Sequence, residues 1–387
     1  MLTLFFPDLR VPERTYAARV VFEEFLGIQC QLVPHAAKHW RLKDRDGKRC
    51  LIMADTFFSK ADKYWLEKNS LPGTPLPVWD IENELSGAML IKPNLPIIAG
   101  KIKPECSWFS RIDKNNFFLG IDVLGSAFFM LTHYEEVVKT ERDEHDRFPA
   151  WASLAFQEGF LNRPIIDEYV EILWQAMLCL WPNLKRRHRE YSVKVSHDVD
   201  EPSIYGFKPP LKLFYALGND IIKRKDFSAA FRAPLIRLNT KKHLHPKDPA
   251  NTYEWIMDMS ERRGLKSTFY FICGRTEPSR DADYELEHPA IRSLIRDIFQ
   301  RGHEIGLHPS YDTYKNPSLI ALEANRLRRI CTEEHVDQSF WGARMHYLRW
   351  NNPITLQGLE QAGMNYDDTL GYADHPGFRC GTCHEYP

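Results

Sequence analysis

The sharpest chemical signal in this chain is Ser196-His197-Asp198-Val199-Asp200, which follows an alternating polar and apolar run from Tyr191. At strand spacing, Val199 turns one way and both aspartates turn the other. Two acids so placed can divide labour, one binding a metal ion and the other taking a proton. His308, at the end of His303-Glu304-Ile305-Gly306-Leu307-His308, offers an imidazole to the same ion. A histidine and a carboxylate with an open position for water suit a catalytic divalent cation, Zn²⁺ first. Such an ion lowers the pKa of bound water and polarises a carbonyl. Arg344, at the end of Ser339–Arg344, is suited to hold a carboxylate base in place. His346 lies two residues on, and Asp367-Asp368 close a last short stretch.

Elements must bring these groups together. Strands are predicted at 191–196, 267–273, 303–308, 339–344 and 364–368, and helices at 251–263, 286–300, 317–335 and 353–362. Alternation at this spacing argues for parallel βαβ units, whose chemistry sits at the carboxyl ends of the strands. Asp198, Asp200, His308, Arg344, His346, Asp367 and Asp368 all fall at such ends. The intervening 201–250 reads as a long polar insert, with Lys223-Arg224-Lys225, Lys241-Lys242, His243 and His245 solvated. The minority reading of that insert is a docking surface for a polyanionic or lipid-linked glycan.

The first part, 1–185, reads as a separate α/β domain of unassigned role. A helix is predicted over 13–26, stopped by Gly27, with strands at 50–54 and 117–123. Helices follow at 125–140 and 164–181, with Pro164 in the first turn of the second. Asp143, His145 and Asp146 read as a charged surface loop. The basic run Pro182–Glu190 reads as a solvated linker, and no interleaved aromatics support a nucleic-acid contact. A second domain then spans 190–387.

Bulk properties exclude several classes. The 387 residues carry a formal net charge of -1, which gives no overall field toward nucleic acid or anionic membrane. With 43% hydrophobic and 27% charged residues the composition is that of a soluble globular protein. No run of about 18 apolar residues predicts a transmembrane helix. The N-terminus lacks a basic region and reaches Asp8 early, so no signal peptide is expected. The eight cysteines read mostly as reduced core thiols of a cytoplasmic protein, and Cys380–Cys383 is a single, weak CxxC.

Over 190–387 the chain resembles the polysaccharide deacetylases of carbohydrate esterase family 4, within a bacterial surface-polysaccharide subgroup that has an extra N-terminal domain. Ser196–Asp200, Ser267–Ile272, Gly302–His308, Gly342–Tyr347, Gly363–Asp368 and Gly377–Cys383 carry the resemblance. It implies a distorted, incomplete (β/α) barrel and removal of an N-acetyl group from a carbohydrate in cell-surface polysaccharide synthesis. It makes Asp198 the catalytic base, Asp200 and His308 metal ligands and Arg344 a catalytic arginine. The expected partner is a sugar bearing an acetamido group. Tyr347 and Trp350 would bind sugar through their apolar ring faces.

The chain departs from the family pattern twice. Asp312 stands where the family has a second ligand histidine, so Asp200, His308 and Asp312 are the expected metal set. The family's final histidine motif is missing before Pro387, which fits a truncated product or a general acid drawn from His346 or His197. Two other readings compete: a metal-dependent glycosyltransferase using Asp198-x-Asp200, and a non-catalytic carbohydrate-binding relative with a degenerate site.

Overall fold

The computed structural model describes residues 2–81, 84, 85, 87–101 and 107–387. Of the cysteines, Cys106 lies outside them. The chain forms two compact units, one of 1–190 with 371–387 and the other of Tyr191–Leu370. Both are mixed α/β. Among the described residues no helix is long and apolar enough to cross a membrane.

Unit 1 is built on a mixed six-stranded sheet. Its strands are β1 (Leu2–Phe6), β2 (Cys30–Pro34), β3 (Trp40–Lys43), β4 (Cys50–Met53), β7 (Phe109–Arg111) and β8 (Asn116–Leu119), in the order β2-β1-β3-β4-β8-β7. A separate hairpin pairs β5 (Val78–Asp80) with β6 (Asn94–Pro96). Helix α1 (Val11–Arg19) continues as a π-helical turn, Val20–Phe25, and Gly27 ends it at φ 68°. Every residue of α3 (Val123–Leu131) is buried, because its sequence is apolar on all sides. His133, at φ 51°, breaks the helix predicted over 125–140 and starts α4 (Tyr134–Val138). Pro164 lies one residue before α6 (Ile165–Leu180) rather than within its first turn.

Two expectations change here. The basic run is not simply solvated. The Arg187 N–H donates to the Leu26 carbonyl at 2.7 Å, and the Arg187 and Arg189 guanidinium groups donate to the Glu24 carbonyl. The tail 371–387, assigned from sequence to the second domain, packs into unit 1. Its anchor is buried charge. Arg379 makes a two-point pair with Glu136 at 2.8 and 2.6 Å, and His133 Nδ1 lies 3.0 Å from the same carboxylate. Burial works to raise the Glu136 pKa, but the charges of Arg379 and His133 outweigh it and bring the carboxyl down to about 2. Cys380 Sγ lies 3.6 Å from His133 Nε2, and Cys383 donates to Asp167. Both are free thiols.

Unit 2 holds five parallel strands: β9 (Val195–Val199), β10 (Ser267–Ile272), β11 (Glu304–His308), β12 (Gly342–Ala343) and β13 (Tyr366–Asp367). They lie side by side in chain order. Helices α9 (Tyr253–Glu261), α10 (Pro289–Gln300), α11 (Pro317–Glu333) and α12 (Ile354–Gln361) occupy the connections. The first strand begins and ends later than predicted, so Asp198 lies within it. The 201–250 insert is largely helical, with α7 (Pro210–Ile222) and α8 (Ala229–Asn239).

Removing the guanidinium in Arg379→Ala leaves the Glu136 carboxylate buried without its main partner. Such a loss costs about 3–5 kcal/mol, and the urea unfolding midpoint of the chain should fall accordingly. A loss below about 1 kcal/mol, the worth of an exposed pair, would mean the tail does not depend on this ion pair.

Candidate metal centre

Strand register builds this site. Val199 pairs with Phe271, Phe271 with Leu307, Leu307 with Ala343, and Ala343 with Asp367. The next residue on each strand therefore stands at one edge, and four of these are Asp200, His308, Arg344 and Asp368. Two glycines shape the row beneath. A Cβ on Gly306 would lie 2.2 Å from the Tyr270 ring, and one on Gly342 would lie 2.1 Å from the Tyr366 ring. The Tyr270 ring can thus lie across the sheet and donate its hydroxyl to Asp368 at 2.5 Å.

His308 is buried and Asp200 is half exposed. His308 Nε2 lies 3.4 Å from Asp200 Oδ1, and His346 Nε2 lies 4.0 Å from the same oxygen. One ligand atom from each of Asp200, His308 and His346 falls within 4.8 Å of the others. Both imidazoles are oriented from behind. His308 Nδ1 meets the Arg344 carbonyl, and His346 Nδ1 lies 3.1 Å from Asp281 Oδ1. Both partners are acceptors, so each Nδ1 carries the proton and each Nε2 presents its lone pair. The donor set fits a divalent ion such as Zn²⁺, with two neutral imidazoles and one carboxylate.

The charges of these groups also offset one another. Burial raises the Asp200 pKa, but His308 and His346 outweigh it and hold the carboxyl below its ordinary range. Burial lowers His308, but Asp200 and Asp198 outweigh it and raise the imidazole. Without an ion, the carboxylates thus supply the compensating charge for His308.

Asp198 stands beside the group. Its Oδ1 takes a bond from Arg344 Nη1 at 3.1 Å, and its Oδ2 lies 4.0 Å from His308 Nε2. Arg344 also reaches Ser196 Oγ at 2.5 Å and lies 3.6 Å from Asp368.

Three expectations differ. Asp312 is not brought to the group; its carboxylate accepts from Arg349 at 2.7 Å. His346 takes the third position instead, because the Arg344 N–H donates to the Leu307 carbonyl and the His346 N–H to the Pro309 carbonyl, binding the two loops together. His197, with strand parity opposite to Asp198, faces Phe269 and Ser267 and stands apart from the edge. Trp350 is buried and gives no exposed ring face, whereas Tyr347 is half-buried with its ring 4.8 Å from that of His346.

Sequence reasoning missed Asp281 and Glu323. Asp281 is a buried hub that also accepts from the Glu277 and Tyr311 amides at 2.7 and 2.8 Å. It lies in the loop after β10, so the strand-end rule applied to that strand would have found it. Glu323, on α11, accepts from the Ser310 amide at 2.9 Å just past His308. Nothing local in its sequence marks it.

Burial pushes Glu323 up to about 7. A raised folded pKa gives stability that is complete below the unfolded value, about 4.3, and is lost as pH rises through about 7. Glu323→Gln removes the charge and keeps one of the two acceptor oxygens that Ser310 uses. Between pH 5 and 8 the wild type should lose up to about 3 kcal/mol relative to this variant, read from urea unfolding at each pH. Parallel curves for the two proteins would contradict this assignment.

Residues 2–182 match the model of a family of unknown function (DUF7033). This match covers most of unit 1, without its 371–387 segment, and none of the metal-centre residues. Neither the curated proteins nor the solved structures give a match to the chain.

Proposed function

We propose that this protein is a metal-dependent hydrolase that removes an N-acetyl group from a carbohydrate, with its chemistry at the Asp200–His308–His346 group. The observation that carries this reading is the pairing of that group with Asp198, a carboxylate held by Arg344 on one side and left open toward His308 on the other. Five parallel strands in chain order also suit an incomplete (β/α) barrel of deacetylase type.

Asp200, His308 and His346 would hold a divalent ion, which supplies Lewis-acid polarisation of the amide carbonyl and a lowered pKa for attacking water. Asp198 is the carboxylate placed to accept a proton from an attacking water as general base. Arg344 fixes the orientation of Asp198 through its 3.1 Å hydrogen bond. Once protonated, Asp198 is the group placed to return the proton to the departing amine. Asp281 holds the His346 ring in its working tautomer. Tyr347, at the edge beside His346, offers a partly exposed ring face for a sugar. The products are acetate and an amino sugar, and a cytoplasmic biosynthetic setting for surface polysaccharide follows from the resemblance over 190–387.

Incubation with N-acetylated oligosaccharides and a divalent ion should release acetate. Asp198→Asn should lower kcat by about 10²–10⁴-fold while leaving ion binding intact. Undiminished turnover in this variant would remove Asp198 from the mechanism. Nucleotide release from a sugar nucleotide, without acetate, would favour the glycosyltransferase instead.

A further inference from the structure

Helices α7 and α8 are apolar on two opposite faces. On α7, Leu213, Leu217 and Asp220 point inward, where Asp220 accepts the Tyr205 hydroxyl at 2.7 Å. On α8 the inward residues are Ala233 and Ile236. These contacts account for how the pair attaches to its unit, and a soluble helix pair would be polar on its outer side. Here the outer positions are Leu211, Phe214, Tyr215 and Ile222 on α7, and Phe231, Leu235 and Leu238 on α8, with Phe227 between the helices. Each is 49–84% exposed. The spacings 211, 215, 222 and 231, 235, 238 each trace one helical face. Isolated surface apolar residues need no explanation, but an outward apolar stripe on two adjacent helices does.

The same segment is strongly basic. Residues 208–247 contain ten Lys and Arg against two Asp, in a chain whose net charge is -1. Both acids are engaged, Asp220 with Tyr205 and Arg224 and Asp226 with Arg232. Lys223 and Lys225, between the helices, and Lys241 and Lys242, just beyond α8, are exposed and make no ion pair among the described residues. This is the make-up of an interfacial helix, with aromatic and aliphatic side chains on one face and cations at its border.

We propose that the α7–α8 hairpin docks on an anionic lipid bilayer surface, its apolar face entering the headgroup boundary and Lys223, Arg224, Lys225, Lys241 and Lys242 meeting the lipid phosphates. Charge selects this occupant over a second copy of the chain. A two-fold interface would place the same basic patch against itself, and juxtaposed like charges disfavour it. The inference is independent of the deacetylase reading, because it uses none of the metal-centre residues.

The test is flotation of the purified chain with vesicles of phosphatidylcholine alone, and with about one third phosphatidylglycerol. Wild type should bind the anionic vesicles at least about tenfold more tightly than the neutral ones, and high salt should weaken binding. A Phe214→Ser/Phe231→Ser double variant and a Lys223→Glu/Arg224→Glu/Lys225→Glu triple variant should each lose about tenfold or more. All these side chains are exposed, so unchanged thermal melting of the variants verifies the fold. No flotation by wild type would overturn the proposal. So would binding undiminished in both variants. A wild-type dimer in sedimentation, dissolved by the double variant without any flotation, would assign the face to self-association.

Discussion

Parallel hydrogen bonding places the carboxyl end of every strand on the same edge of a sheet, and in residues 191–370 the register is tight enough to align single residues. Asp200, His308, Arg344 and Asp368 each stand one position beyond a paired row. A slip of one residue in any strand would turn its functional side chain to the opposite face. The register is held in turn by Gly306 and Gly342, whose missing side chains admit the rings of Tyr270 and Tyr366. Larger residues there would push those rings away and uncouple Tyr270 from Asp368.

Buried polar side chains then fix what the backbone only brings near. Asp281 and the Arg344 carbonyl each take one Nδ1 proton, so both histidines offer Nε2 to Asp200. Arg344 serves twice. Its carbonyl orients His308 while its guanidinium holds Asp198, so the two side chains share one support. That economy comes from strand β12 being only two residues long, after which the chain turns at once through His346–Leu348.

Much of this was legible in the sequence because its signals are local. The alternating and apolar runs marked all five strands, and the rule that chemistry gathers at strand ends selected Asp198, Asp200, His308, Arg344 and His346. What was misread depends on contacts distant in the chain. Asp312 sits at the spacing of a ligand, yet Arg349 claims it, and nothing near Asp312 announces that pairing. Arg379 is 243 residues from Glu136, so the tail's choice of unit 1 had no local mark. The insert was read as polar from its clustered lysines and arginines, while the helical spacing of its more numerous apolar residues was overlooked.

The most direct measurement is the metal content of the purified chain after reconstitution with Zn²⁺, compared with His346→Ala and Asp312→Ala. About one ion per wild-type chain, lost in His346→Ala and kept in Asp312→Ala, is the expected result. An ion retained without His346 but lost without Asp312 would contradict the centre described here, and no ion in the wild-type chain would leave it without a metal role.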